Sequence, residues 1–224
     1  MTKQKTFTES NSNSKFKGMT QTALFAALII LMAFTPFLGY IPLGFTRATI
    51  IHIPVILASL MLGPKKGAFL GGVFGMTSFI NNTINPTVTS FVFTPFYNLA
   101  GFEGGVGSLI TCFIPRILIG VVPYYVYRLL MKVSKNKKSN NLAALALAGV
   151  SGALTNTLLV MNLIFLFFRN QYAEANNVAA GGVYKFILSV ISINGIPEAI
   201  VAGILIAALG KVLMNSKVRS NLGV

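Results

Sequence analysis

From Gly67 to Phe102 the chain runs for 36 residues without one charged side chain. A stretch of that length must be buried, either in a large apolar core or in a bilayer, and the rest of the chain decides between them. Apolar residues make up 54% of the 224, against 10% charged. A soluble domain carries about 25% charged residues, so an ordinary globular domain is excluded. Mean hydropathy is +0.73. A hydrocarbon core of about 30 Å takes about 20 helical residues per crossing, so six crossings consume roughly 120 residues and leave only short loops. The fold expected is an all-α integral membrane protein with six transmembrane helices.

The charges punctuate these helices. The first is expected over Thr20–Leu38, ending near Pro36 and Gly39, and a short second over Ala48–Pro64, interrupted by His52 and Pro54. A Gly63-Pro64-Lys65-Lys66-Gly67 turn reverses the chain into a third helix over 67–82, which Asn81, Asn82, Asn85 and Pro86 break. A long connection to about residue 104 leads to helices at 105–131, 141–168 and 183–214. The predicted organisation is a polar basic tail at 1–18, a membrane domain at 19–215 and a basic tail at 216–224. The N-terminal stretch has the basic start of a signal peptide. The apolar run after it is too long and lacks a small-residue cleavage site, so it is read as a retained cytoplasmic tail.

Eighteen basic residues face four acidic ones, a net charge of +14. In a soluble protein that excess would point to nucleic acid. Here the basic residues fall in separate clusters bordering apolar spans, with no basic stripe interleaved with stacking aromatics, so no nucleic-acid partner is expected. With the N-terminus inside, the inner face holds Lys3, Lys5, Lys15, Lys17, Lys65, Lys66, Arg128, Lys132, Lys135, Lys137, Lys138, Lys211, Lys217 and Arg219, 14 of the 18. Arg47, Arg116, Arg169 and Lys185 remain for the outer side and the helix interiors. This bias predicts a multi-pass protein of the cell membrane with both termini cytoplasmic. Tyr124, Tyr125 and Tyr127 suit an aromatic belt at the inner interface. The single Cys112 excludes an intramolecular disulfide, and one Cys with one His makes no four-ligand zinc site. Neither a metal nor a cofactor is expected, and His52 reads as a buried histidine bonded to another helix.

Small residues recur at helical spacing. Gly67, Gly71 and Gly75 line the third helix, Ala199, Gly203 and Ala207 the sixth, and Ala23 and Ala27 the first. Such faces let backbones approach closely in lipid, where no hydrophobic effect drives association.

Six short spans in about 200 residues, the string Thr22-Ala-Leu-Phe-Ala-Ala27 and a Pro/Gly/Asn-rich outer side resemble the S component, the substrate-binding subunit of energy-coupling factor (ECF) vitamin transporters. Ile41-Pro-Leu-Gly-Phe-Thr-Arg-Ala-Thr-Ile-Ile-His-Ile-Pro54 and Phe79-Ile-Asn-Asn-Thr-Ile-Asn-Pro86 look like the pantothenate-type branch. The resemblance covers residues 19–215. It implies capture of a water-soluble vitamin, pantothenate first and riboflavin or hydroxymethylpyrimidine second, in the outer half of the bundle under loops 1 and 3. It also implies docking through Ala23 and Ala27 on a membrane coupling subunit driven by two ATPase subunits.

The polar residues within this frame carry the chemistry. Asn81 to Ser90 offers seven hydrogen-bonding side chains in ten residues, followed by Phe91, Phe93, Phe96 and Tyr97. That stretch is either a solvated loop or a pocket wall. Arg116 and Glu198 are charges inside helices, each costing about 2.5–3.5 kcal/mol on insertion scales, so each needs a partner. They are expected either to pair with each other or to separate, with Arg116 holding an anionic substrate. Arg47 either snorkels to headgroups or offers a bidentate fork to a carboxylate. Pantothenate is an anion with an amide and two hydroxyls, which Arg47 or Arg116 with Asn81, Asn82 and Asn85 would satisfy, and Asn162 and Asn194 would add hydrogen bonds.

Other classes fit less well. Gly149-Val150-Ser151-Gly152 matches the serine motif of rhomboid proteases, but the only histidine, His52, precedes it on another helix. No phosphate-binding Gly-x-x-x-x-Gly-Lys-Ser/Thr string occurs, so an ATPase site within the chain is not expected. An ion-coupled secondary transporter would show paired repeats and several intramembrane acids. A solitary channel is the remaining alternative.

Overall fold

The computed structural model describes residues 2–35, 39–43, 46–99, 101–134 and 141–215, with only the backbone considered for 2–15, 40–43, 46–48, 98–99 and 180. Helix α1 spans Thr2–Phe34 and leads into a hairpin of β1 (Tyr40–Leu43) and β2 (Thr46–Thr49), with Tyr40 opposite Thr49. Helices α2 (His52–Leu62) and α3 (Pro64–Ile84) follow. After α3 come a 3-10 turn at Ser90–Val92 and a second hairpin, β3 (Asn98–Leu99) with β4 (Phe102–Glu103). Then come α4 (Val106–Ile119), α5 (Val122–Val133), α6 (Leu142–Ala175), α7 (Val183–Val190), a π-helical turn (Ile191–Gly195) and α8 (Ile196–Leu213). Val106–Val133 and Val183–Leu213 each form one apolar helical run, so the described residues make six helical rods.

Four rods are long and apolar enough to cross a bilayer: Phe16–Phe34, Val106–Val133, Leu142–Ala175 and Val183–Leu213. All six expected helices are present as rods, and these four are the ones that length and composition alone mark as spans. The eleven residues of α2 reach only about 16 Å, about half the hydrocarbon thickness. Ten of them are buried, as an all-round apolar helix requires, so α2 is the bundle's core rather than a lipid-facing span. The predicted start of this helix at Ala48 is also corrected, because residues 46–49 pair in the hairpin. Pro54 has no N–H, so a helix containing it must begin within the preceding turn, and His52 does begin it.

The turn between α2 and α3 is a single residue. Gly63 takes φ 93°, a conformation that side chains disfavour, and Pro64 opens α3 at once. Helix α3 therefore starts three residues before the predicted 67. At the other limit, α6 runs to Ala175 instead of 168, because the helix kinks at Phe168 (φ −129°, ψ 18°) and continues. Its 34 residues reach about 51 Å, so α6 outruns the hydrocarbon layer. Helical backbone in α1 likewise begins at Thr2, although its apolar span begins at Phe16.

The glycine faces pack within the bundle. A Cβ on Gly67 would collide with the Gly120 carbonyl and Ser59, and one on Gly75 with the Phe113 ring. Gly203 faces Ala146 and Val150 of α6. Ser151 donates to the Ala148 carbonyl at 2.8 Å, and Gly152 sits against Ile56 and Pro123, a packing role for that motif. His52 is fully buried, and neither ring nitrogen bonds another helix among the described residues. This corrects the expected bond to another helix. Tyr127 is buried and Tyr125 is exposed.

Two apolar clusters result. One gathers Ile29, Ile56, Leu70, Phe74, Leu145 and Ile206 around α2. The other, with Phe91, Phe102, Val160, Ile164 and Ile187, holds the second hairpin against α6 and α7. Helix α1 buries Ile29 and Ala33 but leaves Ala23, Ala27, Leu24 and Leu31 exposed.

Candidate functional site

Beside the second cluster lies a cavity of about 640 Å³. Its walls come from the end of α3 (Ser78, Asn81, Asn82, Asn85), the loop after it (Thr87, Thr89, Phe93), α4 (Arg116), α6 (Asn156, Thr157, Tyr172), Asn194 in the π turn and Glu198 in α8. Thr49, the last residue of the first hairpin, completes it.

Arg116 reaches this cavity through a local peculiarity of α4. Pro115 has no N–H, so the Thr111 carbonyl, four residues earlier, lacks its helical donor. The Arg116 guanidinium takes that place, Nη1 donating to Thr111 O at 2.7 Å. Its Cζ lies 4.8 Å from the centre of the Phe93 ring and 5.8 Å from that of Phe74, cation–π distances. The side chain is buried, and Nε has no partner among the described residues. A close approach sets the backbone depth. An added methyl on Gly71 would stand 2.8 Å from Ile117 Cα and overlap the Arg116 carbonyl oxygen.

Glu198 lines the same cavity and does not pair with Arg116. One carboxylate oxygen accepts from the Thr49 amide at 2.6 Å, and the other from Thr157 Oγ1 at 3.4 Å. No ion pair joins the two charges among the described residues, which corrects that expected alternative. Glu198 instead ties the first hairpin to α6 and α8. The π turn just before α8 has a simple cause. Pro197 provides no N–H, and the helix widens ahead of it. Asn194 sits in that widened turn, and Gly195 passes close to the Thr157 methyl.

The asparagines of α3 divide their work. Asn82 donates to the Ser78 carbonyl at 2.8 Å and accepts from Ser90 Oγ at 2.8 Å. Ser90 also accepts from the Thr87 amide at 2.9 Å. Asn82 is thus an anchor for the loop as well as part of the wall. Asn85 donates to Asn81 Oδ1 at 3.1 Å, which leaves the Asn81 amide hydrogens for a ligand. Ser108 donates to the Phe91 carbonyl at 2.6 Å and fixes the far side of the loop.

Of the residues singled out from sequence, Asn81, Asn82, Asn85, Arg116 and Asn194 come together here. Asn162 does not. It is exposed and donates to the Leu158 carbonyl at 2.7 Å. The backbone of Arg47 pairs opposite Pro42 in the first hairpin, but its side chain lies outside the described residues. Sequence reasoning missed Asn156, Thr157, Tyr172 and Asn176. Asn156 shares a helical face with Val160 and Ile164, and that spacing was the available signal.

The whole chain has relatives. The model of the family "ECF transporter, substrate-specific component" matches residues 17–210. Pantothenic acid transporter PanT of Lactococcus lactis subsp. cremoris (strain MG1363) is 37% identical over 210 residues, covering 93% of this chain and 98% of that protein. Pantothenate transporter PanT of Leuconostoc mesenteroides subsp. mesenteroides is 32% identical over 212 residues, covering 91% and 95%. Among solved structures, the S-component for biotin from an ECF-type ABC transporter aligns with a TM-score of 0.49 at 20% identity, over 89% of this chain and 93% of that one. With a family match along most of its length and two relatives above 30% identity, this multi-pass membrane chain belongs to the substrate-specific components of ECF transporters.

Proposed function

We propose that this chain captures pantothenate for ATP-driven uptake. The observation that carries the reading is the buried Arg116 guanidinium, which faces a cavity lined by asparagines, threonines, apolar side chains and Glu198, with no carboxylate paired to it among the described residues. A buried cation with no direct ion pair favours an anionic ligand. The printed names of the two relatives give that anion an identity, and pantothenate's amide and hydroxyls suit the asparagines around it.

The partitioning of basic residues supports both termini being cytoplasmic, which puts the cavity's hairpin end outside. A membrane coupling subunit and two ATPase subunits would supply the energy, because no phosphate-binding loop is present in the sequence. Ala23 and Ala27, exposed on α1, are the proposed docking face. Uptake of labelled pantothenate by cells expressing the chain with and without its coupling subunits tests this reading. Accumulation only with the full set supports it. Accumulation in liposomes holding this chain alone, driven by an ion gradient, would replace it with a secondary transporter.

A further inference from the structure

The cavity is chemically lopsided. On the α3–α4 side stand donors: Arg116, with Nε unpartnered and four of its five N–H groups beyond the single Thr111 bond, and the Asn81 amide. On the α6–α8 side stand two notable acceptors, Glu198 and Asn156 Oδ1, beside the donor-capable Tyr172 hydroxyl and Asn156 amide. Glu198 has about four lone-pair sites, of which Thr49 and Thr157 occupy two. Asn156 Oδ1, one residue from Thr157, is buried without a hydrogen-bond partner among the described residues. Buried acceptors of this kind are costly unless something donates to them. The ligand's carboxylate cannot, because it only accepts and would be repelled by Glu198. Hydroxyl hydrogens can.

From this we infer that Glu198, together with Asn156, is the specificity-determining pair that reads the hydroxyl end of the ligand, while Arg116 holds its carboxylate. The inference rests on the pantothenate reading and adds an orientation: β-alanine end toward α4, dihydroxy end toward α6 and α8. It also gives Glu198 a second task besides the Thr49 bond. A ligand hydroxyl donating to Glu198 stiffens the carboxylate to which the first hairpin is tied.

The test is a cycle of two ligands and two proteins, read by titration calorimetry on the full chain in detergent. The ligands are pantothenate and N-(3,3-dimethylbutanoyl)-β-alanine, which keeps the carboxylate and amide but lacks both hydroxyls. The wild-type protein is expected to bind the second ligand at least about 10-fold more weakly, because the acceptors are left unpaired. In Glu198→Gln the gap is expected to shrink to below about threefold. A gap of equal size in both proteins means that Glu198 serves only the hairpin, and overturns the inference. So does a wild-type protein that binds both ligands equally. If Glu198→Gln does not fold, Asn156→Ala carries the same test: a narrowed gap supports the pair and an unchanged gap overturns it. Absence of pantothenate binding by the wild-type protein is a separate result, and defeats the underlying reading.

Discussion

Arg116 donates from Nη1 to the carbonyl oxygen of Thr111 at 2.7 Å, an acceptor that exists only because Pro115 withholds the helical N–H. The proline therefore shapes the Arg116 contact without itself lining the cavity. Replacing Pro115 by Ala restores a main-chain donor that competes for the Thr111 carbonyl. Helix α4 gains propensity, since Pro is about 3 kcal/mol worse than Ala inside a helix. Thermal stability is expected to rise or hold while pantothenate affinity falls, a split that paired melting and calorimetry would detect. Unchanged affinity would remove Pro115 from the account.

Gly71 fixes where that helix lies. A methyl group there overlaps the Arg116 carbonyl, so α4 must move outward and take the guanidinium with it. Gly71→Ala is expected to destabilise by about 1–3 kcal/mol, the usual cost of overpacking. Ligand affinity should fall in parallel. Gly72, where an added Cβ meets nothing within 4 Å, is the control, and Gly72→Ala should leave binding intact.

Loop order depends on Ser90, which is fully buried, donates to Asn82 and accepts from the Thr87 amide. Ser90→Ala removes the donor and strands the Asn82 oxygen, a loss of about 1–3 kcal/mol locally. Pantothenate should dissociate faster from the variant, measurable by stopped-flow competition. An unchanged dissociation rate would mean that the loop is not part of the pocket wall.

The exposed α1 face makes a separable prediction. Ala23→Leu with Ala27→Leu adds bulk where only small side chains permit close helix contact. Pantothenate binding by the isolated chain should stay within about twofold. Co-purification with a membrane coupling subunit, and uptake, should be lost. Retained uptake would move the docking surface elsewhere.

Much of this was legible in the sequence for physical reasons. The charge-free runs marked the rods, because a bilayer penalises charge. The cost of Arg116 and Glu198 inside helices singled them out as residues needing partners. Less legible were features that depend on which neighbour lies where. Asn162 and Asn156 are six residues apart, about 120° around a helix. Only packing shows that Asn156 turns inward while Asn162 faces out. The burial of α2 was hidden because an apolar run reads the same whether it meets lipid or protein. The separation of Arg116 from Glu198 follows from Pro115 and from the Thr49 hairpin, and helix-depth arithmetic carries neither.

The central claim is that a buried Arg116 selects an anionic vitamin. Calorimetric titration of the purified chain with pantothenate and with pantothenol, its uncharged alcohol counterpart, tests it most directly when repeated on Arg116→Ala. The account predicts that the wild-type protein prefers pantothenate, and that Arg116→Ala loses more than about 10-fold for pantothenate and little for pantothenol. Equal losses for both ligands, or no loss for pantothenate in a folded variant, would contradict it.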